Sequence, residues 1–291
     1  MIAHKYLIGL THVLIGIPSF VLTLLVLTII QLSKKLRKSL SYKLLQQLNI
    51  FCLVLNTVHA GVGVNVLLEV DPLSFSSKLL GAFSDIGWFG ILFLNFLLCR
   101  ERFNVTVCQG HFRLSSRAYT VISIMSWMPG AIYFVVDLTP YLTFYFNTEW
   151  GQWDFDGALS SLAITVAEVI TFTILPLCFV IYIIIYIYLA NMRSQVVIST
   201  AQQRSNLEVN ILFASTLMFL LPFGEEMAYF VLVALEQNTF WGTFSVQIVW
   251  MCIPLLSQAI QIVLNRPIRR SLKQTILGII KAKGNISTIT A

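Results

Sequence analysis

The sequence predicts an all-α membrane protein, a bundle of seven transmembrane helices. Of its 291 residues, 57% are hydrophobic and only 11% charged, whereas soluble domains carry about 25% charged residues; mean hydropathy is +0.81. Seven windows hold the ~20 mostly apolar residues that a helix needs to cross a hydrocarbon core. Basic residues crowd between alternate windows, as membrane insertion demands. A water-soluble enzyme of this composition is close to excluded. The net charge of +6 reflects topology before any affinity for nucleic acid, and no nucleic-acid partner is expected.

The windows run 7–32, 44–68, 79–99, 118–136, 159–190, 209–234 and 243–264, and predict one seven-transmembrane domain over residues 1–291. The first is not a cleaved signal peptide, because its apolar run exceeds the ~7–15 residues of such a segment and a basic cluster follows it. Lys34, Lys35, Arg37, Lys38 and Lys43 follow the first window, and Arg100, Arg102, Arg113 and Arg117 the third. Arg193 and Arg204 follow the fifth, and Arg266, Arg269, Arg270, Lys273, Lys281 and Lys283 the seventh. Only Lys5 and Lys78 fall on the other side. Positive loops stay in the cytosol, so the N-terminus is expected outside and the C-terminus inside a multi-pass protein of the plasma membrane. Cys52, Cys99, Cys108, Cys178 and Cys252 lie in spans or cytosolic loops, so no extracellular disulfide is expected.

Each span then shows a face. Asn49, Cys52, Asn56, His59 and Gly63 share a stripe of span two; Asp85, Trp88, Leu92, Asn95, Cys99 and Arg102 share one on span three. Residues three and four apart line one helix face, and lipid penalises polar stripes, so both should face the bundle. Gln247, Trp250, Pro254, Ser257 or Gln258, and Gln261 repeat the pattern in span seven. Hydrogen bonding between helices accounts for most such Asn and Gln. His59 has no second ligand at metal spacing, and no metal or cofactor is expected. Pro129, Pro176, Pro222 and Pro254 interrupt spans four to seven, each removing a backbone hydrogen bond and favouring a kink. After span seven, residues 267–281 form an amphipathic segment with Ile268, Leu272, Ile276 and Ile279 on one face and Arg269, Arg270 and Lys273 on the other. Such a helix should lie on the inner leaflet, held by anionic lipids.

Four acids lie within spans, where ionisable residues mark function by default. Glu225 and Glu226 stand just outward of Pro222, Glu168 two turns outward of Pro176, and Asp85 about 25 Å from Arg102 at the rise of a helix. All four should share one depth in the outer third, with His59, Trp88, Tyr229, Gln247 and Trp250 near that level. A polar and aromatic cleft of this kind suits a small molecule, and with no lysine or arginine to neutralise it, a cationic one. The same acids also suit a transporter or ligand-gated channel, although none continues inward as a relay.

Individual residues carry a resemblance across nearly the whole chain. Glu101-Arg102-Phe103 ends span three like an E/D-R-Y motif; Trp127, Pro176 and Pro222 stand at helix landmarks, and Asn265-Arg266-Pro267-Ile268-Arg269 at the entry to an eighth helix. In these the chain resembles a divergent rhodopsin-like G-protein-coupled receptor, and its short loops are similar to those of nematode serpentine chemoreceptors. It departs where Ser257-Gln258-Ala259-Ile260-Gln261 replaces N-P-x-x-Y, where Cys52 and Leu220 replace an aspartate and a tryptophan, and where Ser77 replaces a disulfide cysteine. The resemblance implies a receptor that passes ligand binding in the outer cleft to a heterotrimeric G protein. Arg102 would pair with Glu101 at rest and meet the G protein once span six swings away. No enzyme is implied: H-E-x-x-H and G-x-S-x-G are absent, and span seven offers no lysine for a Schiff base.

Overall fold

The structure, a computed structural model, describes residues 2–111, 115–195, 201–234 and 239–275. Among them seven helices are long and apolar enough to span a membrane. Spans one to three run Ile2–Leu32, Leu40–Leu67 and Phe75–Thr106. Span four is a broken pair, Ser116–Met125 and Met128–Asp137. Spans five to seven run Ser160–Gln195, Ala201–Ala234 and Phe240–Leu264. Several begin before their hydropathy windows because polar first turns are capped: the Ser74, Ser115 and Thr239 hydroxyls accept from the backbone N–H of Ser77, Ala118 and Gly242. The helices continue past Pro176, Pro222 and Pro254, and past Pro18 in span one. Pro129 instead marks a true break, at the start of the second half of span four, where its missing N–H costs nothing.

Span three is the axis of the bundle. Its Ile91, Leu94, Leu97 and Leu98 pack with residues of spans one, two and seven, while its Phe89, Leu92 and Cys99 pack with spans four, five and six. Spans one and two approach closely through small residues: a Cβ on Gly16 would lie 2.8 Å from the Ala60 nitrogen, and one on Gly63 2.7 Å from the Gly9 carbonyl oxygen.

The polar stripes are stitched together as their spacing implied. Asn49 Oδ1 accepts from Gln258 Nε2 at 3.0 Å and Gln261 Nε2 at 2.9 Å, and Asn49 Nδ2 donates to Gln261 Oε1 at 3.1 Å. The residues in place of N-P-x-x-Y thus lock span seven to span two. Asn56 Nδ2 donates to Thr23 Oγ1 at 3.0 Å, and the Tyr42 hydroxyl to Asn265 Oδ1 at 2.7 Å. Beyond Asn265 a short helix occupies 266–275. Its Ile268 is fully buried and Leu272 packs on the core, while Arg269 and Arg270 stay exposed; Ile276, Ile279, Lys281 and Lys283 lie outside the described residues.

One element was not foreseen. Between spans four and five, β1 (Thr143–Asn147) and β2 (Gln152–Asp156) form an antiparallel hairpin, Thr143 opposite Asp156 and Asn147 opposite Gln152. The turn uses Gly151 at φ +65°, a conformation costly for other residues. The hairpin lies on span three so closely that a Cβ on Gly81 would overlap the Phe144 carbonyl.

Candidate functional site

The hairpin roofs a cavity of about 250 Å³. Span three contributes Asp85 and Trp88 one turn apart; span five, Glu168; span six, Glu225, Glu226 and Tyr229; span seven, Gln247 and Trp250. The eight residues singled out by helical spacing therefore border one space. The hairpin adds Phe144, Trp153, Asp154 and Phe155, which periodicity within the spans could not supply. Their signal was the short alternation Gln152-Trp153-Asp154-Phe155-Asp156, which places Trp153 and Phe155 on the face opposite the two aspartates.

Aromatic rings join the hairpin roof to the helices beneath it. Trp250 meets Trp88 edge-on at 6.3 Å and Trp153 at 6.2 Å. Trp153 stacks on Phe144 at 4.9 Å and meets Phe146 edge-on at 5.7 Å. Edge-to-face and offset stacks are the favoured arrangements of ring quadrupoles, so the hairpin and span seven hold each other in register.

Five carboxyl groups line the cavity: Asp85, Asp154, Glu168, Glu225 and Glu226. No described lining residue is basic. Glu226 lies within Coulombic reach of both Glu168 and Glu225. Asp85 lies beside Asp137, which is fully buried at the end of span four and was not anticipated as a neighbour. The hairpin extends the negative field to the mouth: burial and the charges of Asp154, Asp156 and Glu149 push the Tyr145 hydroxyl pKa up.

His59 is not part of this lining. It sits behind Trp250, meeting that ring edge-on at 4.9 Å, and a histidine of span one, His12, lies 5.6 Å away between ring centroids. Both are fully buried, and their ring nitrogens have no hydrogen-bond partner among the described residues. The two histidines lie on different helices, so no spacing within a single span pairs them. Among the described residues no cluster of three metal-ligating side chains forms.

At the opposite, basic end, Arg102 borders a smaller cavity of about 80 Å³ with Ser41, Tyr42, Met218, Gln261 and Asn265. Arg102 Nε is 3.6 Å from Glu101 Oε2, and the Ser41 hydroxyl donates to Glu101 Oε1 at 2.9 Å. Phe103 packs instead into the cluster that holds Tyr182 and Cys99.

A family model described as serpentine type 7TM GPCR chemoreceptor Srt matches residues 2–285 of the chain. The crystal structure of squid rhodopsin superposes with a TM-score of 0.80 over 96% of this chain and 87% of that one, at 15% sequence identity; at that identity the likeness speaks for the fold alone. A search of curated proteins finds no match.

Proposed function

We propose, for a chain that belongs to the serpentine Srt family of seven-helix G-protein-coupled chemoreceptors, that the cavity under the hairpin binds a small cationic molecule. The observation that carries this is the set of five carboxyl groups around the cavity without a basic side chain among its described lining. Bringing acids together out of water is costly, and a ligand with an ammonium or related group offsets that cost. It also gains cation–π contact with the Trp88 and Trp250 rings that line the cavity. The charge distribution supports an orientation with the hairpin end outside the plasma membrane and the Arg102 end in the cytosol.

Transmission then follows the stitched helices. A ligand held against Trp250 acts on span seven one turn before Pro254, and that span is tied to span two through Asn49. Arg102 and Glu101 at the basic end are the groups that open toward a heterotrimeric G protein, with Phe103 as the packed anchor beside them. The helix at 266–275 rests on the inner leaflet, its exposed arginines facing anionic headgroups. A transporter or ligand-gated channel is not favoured, because the acids gather at one end and the family is a receptor family.

The test expresses the receptor with a promiscuous G protein and reads second messenger, with electrophysiological recording in parallel. A panel of amines, neutral odorants and organic acids is applied to the native protein and to Asp85→Asn and Glu168→Gln. Amines should be the best agonists, giving messenger without current, and each substitution should weaken them about tenfold or more. An anionic best agonist, or unchanged potency in both variants, would sink the cationic reading.

A further inference from the structure

The cavity holds unpaired polar atoms of two kinds. Glu225, only 9% exposed, has an Oε2 with no hydrogen-bond partner among the described residues; nor do Gln247 Nε2 and Trp153 Nε1. All three residues line the same space. Buried polar atoms are overwhelmingly paired in folded proteins, and each unmet one carries a desolvation penalty.

The two unmet donors both stand beside Trp250. Gln247 stands one turn before Trp250 on span seven, and Trp153 reaches Trp250 from the hairpin. Phe144 and Phe146 hold the Trp153 ring from two sides, so its N–H cannot swing away to find another partner without unstacking. An indole nitrogen only donates, which fixes the need for an acceptor whichever way the Gln247 amide is turned. A simple alkylamine answers Glu225 and leaves both donors unmet.

We infer that the ligand carries, besides its cationic nitrogen, an uncharged oxygen acceptor (carbonyl, ether or hydroxyl) that Gln247 and Trp153 recognise together. A carboxylate would serve the donors equally well but is opposed by the five acids around it. The inference rests on the cationic reading above and narrows it from amines at large to oxygen-bearing amines. Sites built to hydrogen-bond a substrate group reject the analogue that lacks it, because their own polar atoms are then left unpaired.

Two matched pairs of probes decide it: hexylamine against ethoxypropylamine, and isohexylamine against gamma-aminobutyramide, each pair alike in shape and charge. On the native receptor the oxygen-bearing member should be about tenfold more potent. That advantage should vanish in Gln247→Leu and in Trp153→Phe, whereas Glu225→Gln should weaken both members of a pair alike. An N-terminal tag stained on intact cells reports surface delivery, and Gln247→Met replaces any variant that fails to reach the surface. Equal potency within both pairs, or a preference retained in the variants, overturns the inference and leaves the cationic reading standing. Response to acids or neutral compounds alone, or to none of the four amines, overturns both.

Discussion

Glu101 is engaged twice at the basic end of span three, by Arg102 at 3.6 Å and by the Ser41 hydroxyl at 2.9 Å. Both contacts are nearly shielded from water, the Arg102 and Glu101 side chains being 11% and 8% exposed, so screening weakens them less than a surface pair. Arg102→Ala is therefore expected to abolish messenger production while surface delivery and agonist binding persist. Glu101→Gln should raise basal activity, because the resting partner of Arg102 loses its charge. Ser41→Ala should raise it less, by up to about tenfold, as befits a hydrogen bond to a charged group. Basal messenger measured at matched surface expression checks all three, and an Arg102 variant that still signals would remove the role. Residues of this kind were legible in the sequence because each sits at a helical position with a fixed rise and angle. Glu168, Glu225 and Glu226 were placed at one depth by counting from Pro176 and Pro222. Asp154 and His12 were not legible: one depends on the path of a connection, the other on which helices are neighbours, and no period within a single segment encodes either.

The hairpin shows what an element adds to a site built on helices. Gly81 permits the Phe144 backbone to touch span three, and Phe144 in turn supports Trp153 over the cavity. Gly81→Ala must push the hairpin outward, since the overlap is with backbone rather than with a flexible side chain. Agonist potency should fall about tenfold or more with surface delivery intact; unchanged potency would mean that the hairpin does not form the roof of the bound state. The tie between spans two and seven gives a second expectation. Asn49→Leu removes three hydrogen bonds and leaves Gln258 and Gln261 buried without it, at a cost of about 1–3 kcal/mol for each unmet group. Solubilised receptor should accordingly lose ligand binding at a lower temperature than the native protein. Sequence spacing showed that these amides face inward. It could not show that one asparagine serves two glutamines, because that requires the register between helices. The break in span four was anticipated from Pro129, whereas Pro176, Pro222 and Pro254 are carried inside continuous helices.

The whole bundle is held by packing and hydrogen bonds, with all five cysteines free and three of them buried. Ser77, standing where a disulfide cysteine is usual in the rhodopsin-like family, instead donates to the Asp71 carbonyl at 3.1 Å and accepts from Asn65 at 3.3 Å. Reductant applied from outside should then leave agonist response and thermal inactivation unaltered, and a marked loss would show that a cysteine pair forms on that face. Orientation is the remaining property of the whole molecule, and the charge of the sequence argues for it from both ends. In the sequence every arginine, and every lysine but Lys5 and Lys78, falls after the apolar window of span one, three, five or seven, while the hairpin follows span four and carries Glu149, Asp154 and Asp156. Turning the chain over would force those basic loops across the bilayer against the rule that governs insertion, and would aim the acidic cavity at the cytosol. A tag at the N-terminus should be stained on intact cells and a tag at the C-terminus only after permeabilisation. The reverse pattern would put Arg102 beyond the reach of any G protein, and the role assigned to that end of span three would fall with it.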